Sequence, residues 1–287
     1  MYIFLPFAFL FGACVGSFLN VLIIRLPVDE SIWRRNSHCT SCNNPIAVYD
    51  NIPILSYLLL GGKCRKCGAK FSSQYFWVEL LTAICFAITF YFRCDLFVSS
   101  FMKGDYPSWE IIRLTIIPWL ADVSLISLLI AITWVDAIHM IIPLELSISG
   151  FIIGLVLTTI LCPELRNVNS IPAAMFQAGK AVALGGGLLW TVRWAGTKVF
   201  KREAMGMGDV HLIIMLAMFL NWPAILLTIF LSAFAGSIGG TIAKLFQRQN
   251  NWRFEIPYGP YIAVGAIVAY FWGARIIIWY LSFFKFE

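Results

Sequence analysis

Two aspartates stand in stretches apolar enough to lie in a membrane: Asp136 in ITWVDAIHMIIP and Asp209 in AMGMGDVHLIIM, directly after Gly-Met-Gly. A carboxylate at bilayer depth is costly, so an intramembrane acid points to function by default. Two of them that meet in a low-dielectric site cannot both ionise and titrate as a pair around one proton. That is the arrangement for aspartyl-type chemistry, with one carboxylate taking a proton from water and the other polarising a scissile carbonyl. Asp136 and Asp209 are 73 positions apart, so only folding can bring them together.

Their surroundings suggest a division of labour. Asp209 opens an apolar segment, where the positive end of a helix favours charge, and Asp136 closes one, where the negative end disfavours it. Asp209 is therefore expected to start as base and Asp136 as acid. Gly206 and Gly208 would let a substrate backbone approach Asp209 and would permit positive φ at the start of the helix. Two simpler readings stand beside this one: Asp209 as an ordinary helix N-cap and Asp136 as a juxtamembrane charge. His139 and His211 lie three and two residues beyond the aspartates, so a metal site built from all four side chains is a further alternative.

A second constellation is Cys39-x2-Cys42 followed, after 21 residues, by Cys64-x2-Cys67. Each pair can place two thiolates on one side of a tight turn, and two pairs close a tetrahedral site. Asn43-Asn44-Pro45 and Gly68 follow the pairs and suit such turns. Four filled positions imply a structural Zn2+ rather than a catalytic one. A polar segment of this length buries too little core to hold itself together without a metal. Cys14 and Cys85 read as packing residues. Cys94 and Cys162 both fall at outer ends of spans, which leaves a disulfide between them open.

The elements that carry these groups follow from composition. The chain has 287 residues, 60% of them hydrophobic and 13% charged, and a mean hydropathy of +0.81. No soluble domain has so little polar surface to cover it. Apolar segments of bilayer length occur at 2–24, 77–92, 114–135, 141–161, 172–197, 208–220, 223–246 and 260–282. The expected fold is therefore an all-α polytopic membrane protein of about eight transmembrane helices. A small zinc-ribbon-like cytoplasmic domain, residues 25–76, separates the first helix (1–24) from a membrane domain (77–287). The segment 208–220 is short and suits a partial helix lining a polar cavity. The first span lacks the basic start and small-residue site of a cleaved signal. Fourteen of the 21 Lys and Arg fall in the segments that an N-outside topology places in the cytoplasm, which sets the orientation. The net charge of +6 is explained by those loops, and no nucleic-acid partner is expected. Gly185-Gly186-Gly187 reads as a close helix-packing face.

Several ordered stretches together resemble the bacterial type IV prepilin peptidases, the leader peptidase/N-methyltransferases. They are GSFLNVLIIRLP (16–27), both CxxC pairs, YDNIPILSYLLLGGKC (49–64), WVELLTA (77–83), DAIHMIIP (136–143), GMGD (206–209) and EIPYGPYIAVG (255–265). The resemblance implies a bacterial inner (cytoplasmic) membrane aspartyl endopeptidase of the GxGD type, with catalytic Asp136 and Asp209 on the cytoplasmic side. Such enzymes remove the basic leader of prepilins and pseudopilins after a glycine. They then N-methylate the new N-terminal residue with S-adenosylmethionine, and Gly62 matches a family glycine linked to that methyl transfer. Its partners would be those substrates and membrane lipid. The chain departs from the family pattern at Leu144, where Asp is common, and in the short stretch from Val28 to His38.

Two competing functions are kept. One is a peptidase without methyl transfer, against which the four-cysteine segment argues. The other is a transporter or ion pathway whose buried acids relay protons, against which the absence of pseudo-symmetric halves argues.

Overall fold

The computed structural model describes residues 4–32, 38–39, 41–103, 110, 112–201, 203, 205–246 and 257–283, with backbone alone at 94–103, 112 and 246. Among the described residues there are nine α-helices: α1 (Leu5–Arg25), α2 (Leu55–Leu59), α3 (Gln74–Lys103), α4 (Ile117–His139), α5 (Leu144–Gly154), α6 (Ile171–Phe200), α7 (Met207–Leu216), α8 (Trp222–Phe246) and α9 (Gly259–Ser282). Wider π-type turns lead into α4 at Ile112–Ile116 and extend α5 over Leu155–Leu161. Among the described residues the only strand pairings are two isolated bridges.

Six of these elements are long and apolar enough to cross a membrane: Leu5–Val28, Gln74–Arg93, Arg113–His139, Leu144–Leu161, Trp222–Leu245 and Gly259–Ser282. This is the multi-pass architecture expected, but not the count of eight. Helix α6 has 30 residues and is interrupted by Gln177, Lys180 and Arg193. Helix α7 has 10 residues, and at about 1.5 Å per residue it is too short to span a bilayer.

The chain divides into two compact units, residues 1–131 and 132–287. In the first, α1 lies against α3 through small residues. A Cβ at Gly12 would stand 2.8 Å from Ala83 Cα, and one at Gly16 would stand 2.7 Å from Glu79 Cα. Phe86 and Phe90 of α3 and Phe11 of α1 gather around Trp119 with ring centroids 5.4–6.3 Å apart. The charges inside this unit are paired, as an apolar surround requires. Arg93 donates two hydrogen bonds, at 2.6 and 2.8 Å, to the buried Asp122. The buried Glu79 accepts the backbone N–H of Ile54 at 2.7 Å and so ties the polar segment to α3. Ile54 has φ 63° and ψ −52°, the strained centre of a tight three-residue turn closed by Leu55 N–H on Pro53 C=O at 2.6 Å, so the Glu79 hydrogen bond holds a strained turn.

In the second unit α7 is the most enclosed element, with Leu212, Ile213, Met215 and Leu216 at 0% exposure. Its far end is held by side chains on the α5 extension and the turn after it. Thr158 Oγ1 donates to Met218 C=O at 2.5 Å, and the buried Arg166 donates to the carbonyls of Ala217 and Met218. These are the free carbonyls at the end of a helix, which a cation caps well. The three consecutive glycines of α6, Gly185 to Gly187, divide the work expected of them. Gly185 receives Ile213 and Ile225 and Gly186 receives Ile214, whereas Gly187 faces open space. Two glycines, not three, thus make the close face.

Because the Ile225 side chain occupies the place of a Cβ at Gly185, Gly185→Val should destabilise the purified protein by about 1–3 kcal/mol. Gly187→Val should leave the thermal midpoint nearly unchanged. A lower midpoint in detergent for the first variant alone checks the assignment.

Candidate functional site

Asp136 sits in the last turn of α4, and the backbone N–H of Met140 closes that helix on the Asp136 carbonyl at 2.9 Å. Asp209 sits in the first turn of α7 with Gly206 as N-cap. Both are buried, at 5% and 8% exposure, and they lie within electrostatic reach of each other. The fold therefore brings together what the sequence separates by 73 positions.

The partner of Asp136 was not anticipated. Its Oδ2 accepts the backbone N–H of Gly259, 123 positions away, at 2.7 Å. Gly259 is the first residue of α9, so this N–H is one of the four that a helix leaves free at its start. Asp136 thus ends one helix and faces the beginning of another. Helix position alone no longer separates it from Asp209, and the expected base-and-acid division loses its basis. No Cβ fits at Gly259, because it would stand 2.7 Å from Asp136 Oδ2. Tyr258, next to it, is within electrostatic reach of Asp209 and exchanges a hydrogen bond with Ser232 at 2.9 Å. The signal for these residues was present in EIPYGPYIAVG, a Gly between two prolines at the start of a span.

The glycines of GMGD act differently from expectation. Gly206 has φ −64° and ψ 147° and Gly208 is not among the positive-φ residues, so neither supplies a left-handed turn. Gly208 is needed for packing, since its Cβ would stand 2.9 Å from Ile142 Cβ. Gly206 is exposed and open, with Asp209 Oδ2 3.6 Å from where its Cβ would be. His139 is exposed. Among the described residues the two histidines do not join the aspartates in a metal-holding group, and the only such group is the four cysteines.

Cys39, Cys42, Cys64 and Cys67 bring their sulfurs within 4.8 Å of one another, with Cys39 and Cys67 3.8 Å apart. Tetrahedral Zn2+ with bonds of about 2.3 Å has sulfurs about 3.8 Å apart, so the donor set fits that ion. The two pairs are built alike. Asn43 N–H donates to Cys39 C=O at 2.8 Å, and Gly68 N–H donates to Cys64 C=O at 2.9 Å. Cys39 N–H and Cys64 N–H reach forward to the carbonyls of Asn44 and Ala69. Asn43 and Gly68 both have positive φ, 55° and 69°, the conformation these residue types tolerate best.

Backbone N–H groups aim at the sulfurs. Cys39 is held below the usual thiol range by the N–H groups of Cys42 and Ser41, Cys42 by that of Asn44, and Cys64 by those of Cys67 and Lys66. At Cys67 the Ala69 N–H pulls the same way, but desolvation and the neighbouring Cys42, Cys64 and Cys39 sulfurs outweigh it and push the thiol up to about 11. The backbone N–H groups aimed at these sulfurs favour the charged form that a metal ligand needs. Asp50 and Arg65 brace the segment with bonds of 2.6–3.1 Å. The Arg65 hydrogen bonds hold the Asp50 carboxyl below its ordinary range, so this brace is present at neutral pH and lost only as pH falls below that range.

Gly62, expected from the resemblance alone, is a corner of the same segment. It has φ 66°, and its missing Cβ makes room for the Tyr57 ring at 2.8 Å. That space is filled by protein, so Gly62 itself offers no cradle for S-adenosylmethionine. Cys14 is exposed and Cys162 is buried. The Cys94 side chain lies outside the described residues, and with it the disulfide considered above.

The fold and site thus define a polytopic membrane protein with a buried aspartate pair and a four-thiolate knuckle segment. Residues 10–92 match the bacterial peptidase A24 N-terminal domain, and residues 123–241 match the type IV leader peptidase family. A prepilin leader peptidase/N-methyltransferase of Myxococcus xanthus is 36% identical over 88% of this chain and 67% of its own. Proteins with the same description from Aeromonas salmonicida and Pseudomonas aeruginosa are each 31% identical, over 98% and 97% of this chain and 95% and 93% of theirs. No solved structure matches. The chain belongs to the type IV leader peptidase family.

Purified protein should carry about one zinc per chain, and Cys42→Ser or chelation should release it together with the order of residues 38–70. Elemental analysis and limited proteolysis across that segment check this.

Proposed function

We infer that the protein is a membrane aspartyl endopeptidase that removes the leader of prepilins or pseudopilins and N-methylates the residue it exposes. The observation that supports the first activity best is the buried pair Asp136 and Asp209, assembled from the end of α4 and the start of α7. The relatives' descriptions support both activities.

The chemistry follows from the pair. The ionised carboxylate takes a proton from water, and the hydroxide attacks the scissile carbonyl carbon. The protonated carboxyl gives its proton to the carbonyl oxygen. The tetrahedral intermediate then collapses: the C–N bond breaks, the departing amine receives the proton taken from water, and a diol hydroxyl returns its proton to the carboxylate that had protonated the carbonyl oxygen, which restores the pair. A helical substrate hides its carbonyls in hydrogen bonds, so the cut segment must unwind first. The exposed Gly206 leaves the approach to Asp209 open on one side, which suits an extended backbone. A prepilin offers a basic leader followed by an apolar helix, and its cleavage point falls at the membrane–cytoplasm boundary, where the distribution of Lys and Arg puts both aspartates.

When bound, S-adenosylmethionine would supply the methyl group of N-methylation. Gly62 serves that activity by shape: its left-handed turn, capped by Tyr57, links α2 to the second cysteine pair. The reading as proton relay or ion pathway has no observation in its favour here.

Incubating the full-length protein in detergent with a prepilin and S-adenosylmethionine, followed by mass spectrometry, separates leader loss from a gain of one methyl. Asp136→Asn and Asp209→Asn should each lower cleavage by more than about 1000-fold and keep the zinc. Normal processing by either variant removes the protease reading. Gly62→Val should abolish methylation with cleavage largely retained, because the new side chain faces both positive φ and the Tyr57 ring. Equal loss of both activities would count against a separate methylation role.

A further inference from the structure

We propose that Tyr258 and Gly259 form a clasp that positions Asp136 and fixes which of its oxygens carries the shared proton. The inference rests on the aspartate-pair reading above and deepens it.

An N–H donor needs a lone pair. Oδ2 of Asp136 accepts the Gly259 N–H at 2.7 Å, which lowers the basicity of that oxygen and so favours Oδ1 as the site of the proton shared with Asp209. The clasp has little play. The place of a Cβ on Gly259 is taken by the Asp136 carboxyl group, at 2.7 Å from Oδ2, 3.1 Å from Cγ and 3.2 Å from Cβ. The carboxyl is thus seated against bare backbone, with no side chain between it and the donor.

The clasp is itself held by α8. Tyr258 and Ser232 share a hydrogen bond at 2.9 Å, and the Tyr258 ring lies where a Cβ on Gly236 would be, 3.2 Å from Cε2. One turn on, Tyr261 occupies the space left by Gly239. Gly265 brings α9 within 2.8 Å of the Thr228 carbonyl, measured from its virtual Cβ. Helix α8 therefore fixes the first turn of α9 by two glycines, Gly236 and Gly239, and one hydroxyl, with Gly265 of α9 closing the contact further along, and that turn fixes Asp136. Tyr258 also faces Asp209 electrostatically, so one dipeptide touches the surroundings of both acids. None of these groups reacts. Tyr258, Gly259 and Ser232 are positioning residues that act through Asp136.

The test uses the full-length protein in detergent with a prepilin substrate. Gly259→Ala keeps the N–H but inserts a methyl group where the carboxyl lies. Leader cleavage should fall about 100-fold in kcat, the cost typical of a catalytic group displaced by about 1 Å, with KM for the prepilin within about threefold. The acidic limb of the kcat–pH profile should move. Methyl transfer to an already cleaved pilin and the thermal midpoint should stay at the wild-type values, which separates lost positioning from lost folding. Ser232→Ala adds no bulk and only releases the Tyr258 hydroxyl. It should show the same pattern at about fivefold. Wild-type cleavage by Gly259→Ala overturns the clasp, and so does a loss of rate with an unmoved pH profile. If Asp136→Asn and Asp209→Asn both still cleave, the aspartate-pair reading fails, a result distinct from failure of the clasp alone.

Discussion

A carboxylate inside an apolar bundle must be given a partner or it will not be tolerated there, and this requirement organises the second unit. Asp136 meets it by reaching a helix start 123 positions away, where Gly259 offers an N–H that α9 cannot use internally. The arrangement works only because nothing projects from Gly259 and because α8 presents glycines to the first turn of α9. The site is therefore less a set of reactive residues than a set of backbones brought close enough to serve them. Removing bulk, not adding functional groups, is how this bundle makes room for charge.

The same logic governs the first unit by different means. There the acids are matched one to one: Asp122 with Arg93, and Glu79 with the N–H of Ile54. Those acids are satisfied and fixed in structural roles. Asp209 differs, since among the described residues its neighbours of note are another carboxyl and a phenol. The bundle pairs its other buried acids closely and leaves these two carboxyls within electrostatic reach of each other, and the proposed activity rests on that contrast.

Charge in an apolar stretch and cysteines at knuckle spacing were both legible from the chain, because each is a local departure from its surroundings. Asp136, Asp209 and the four cysteines were readable for that reason. The roles of the glycines were not. GMGD suggests a left-handed turn, yet what forbids a side chain at Gly208 is Ile142, 66 positions earlier. Gly62 shows the reverse case, where a local need for positive φ and a close aromatic ring act together. The span count also resisted a linear reading. The short apolar stretch 208–220 was legible as a partial helix, and the structure makes it a 10-residue one.

The short helix is what lets the two acids meet. An acid at the start of a full span would sit at one face of the membrane with about 30 Å of helix beyond it, and its position would be set by that whole span. Helix α7 is instead largely buried and capped at its far end by Arg166 and Thr158. Its first turn is thereby placed by packing, independent of where the lipid boundary lies. Burial fixes its height, the buried guanidinium closes its last carbonyls, and Gly208 lets it lie against Ile142 in the segment that follows Asp136. Each contact limits a different motion of α7, and together they set Asp209 against Asp136 without any direct bond between the two. Held this way, and not by a hydrogen-bonded partner on each carboxyl, the pair would keep oxygens free for water and for a substrate carbonyl, as the proposed activity requires.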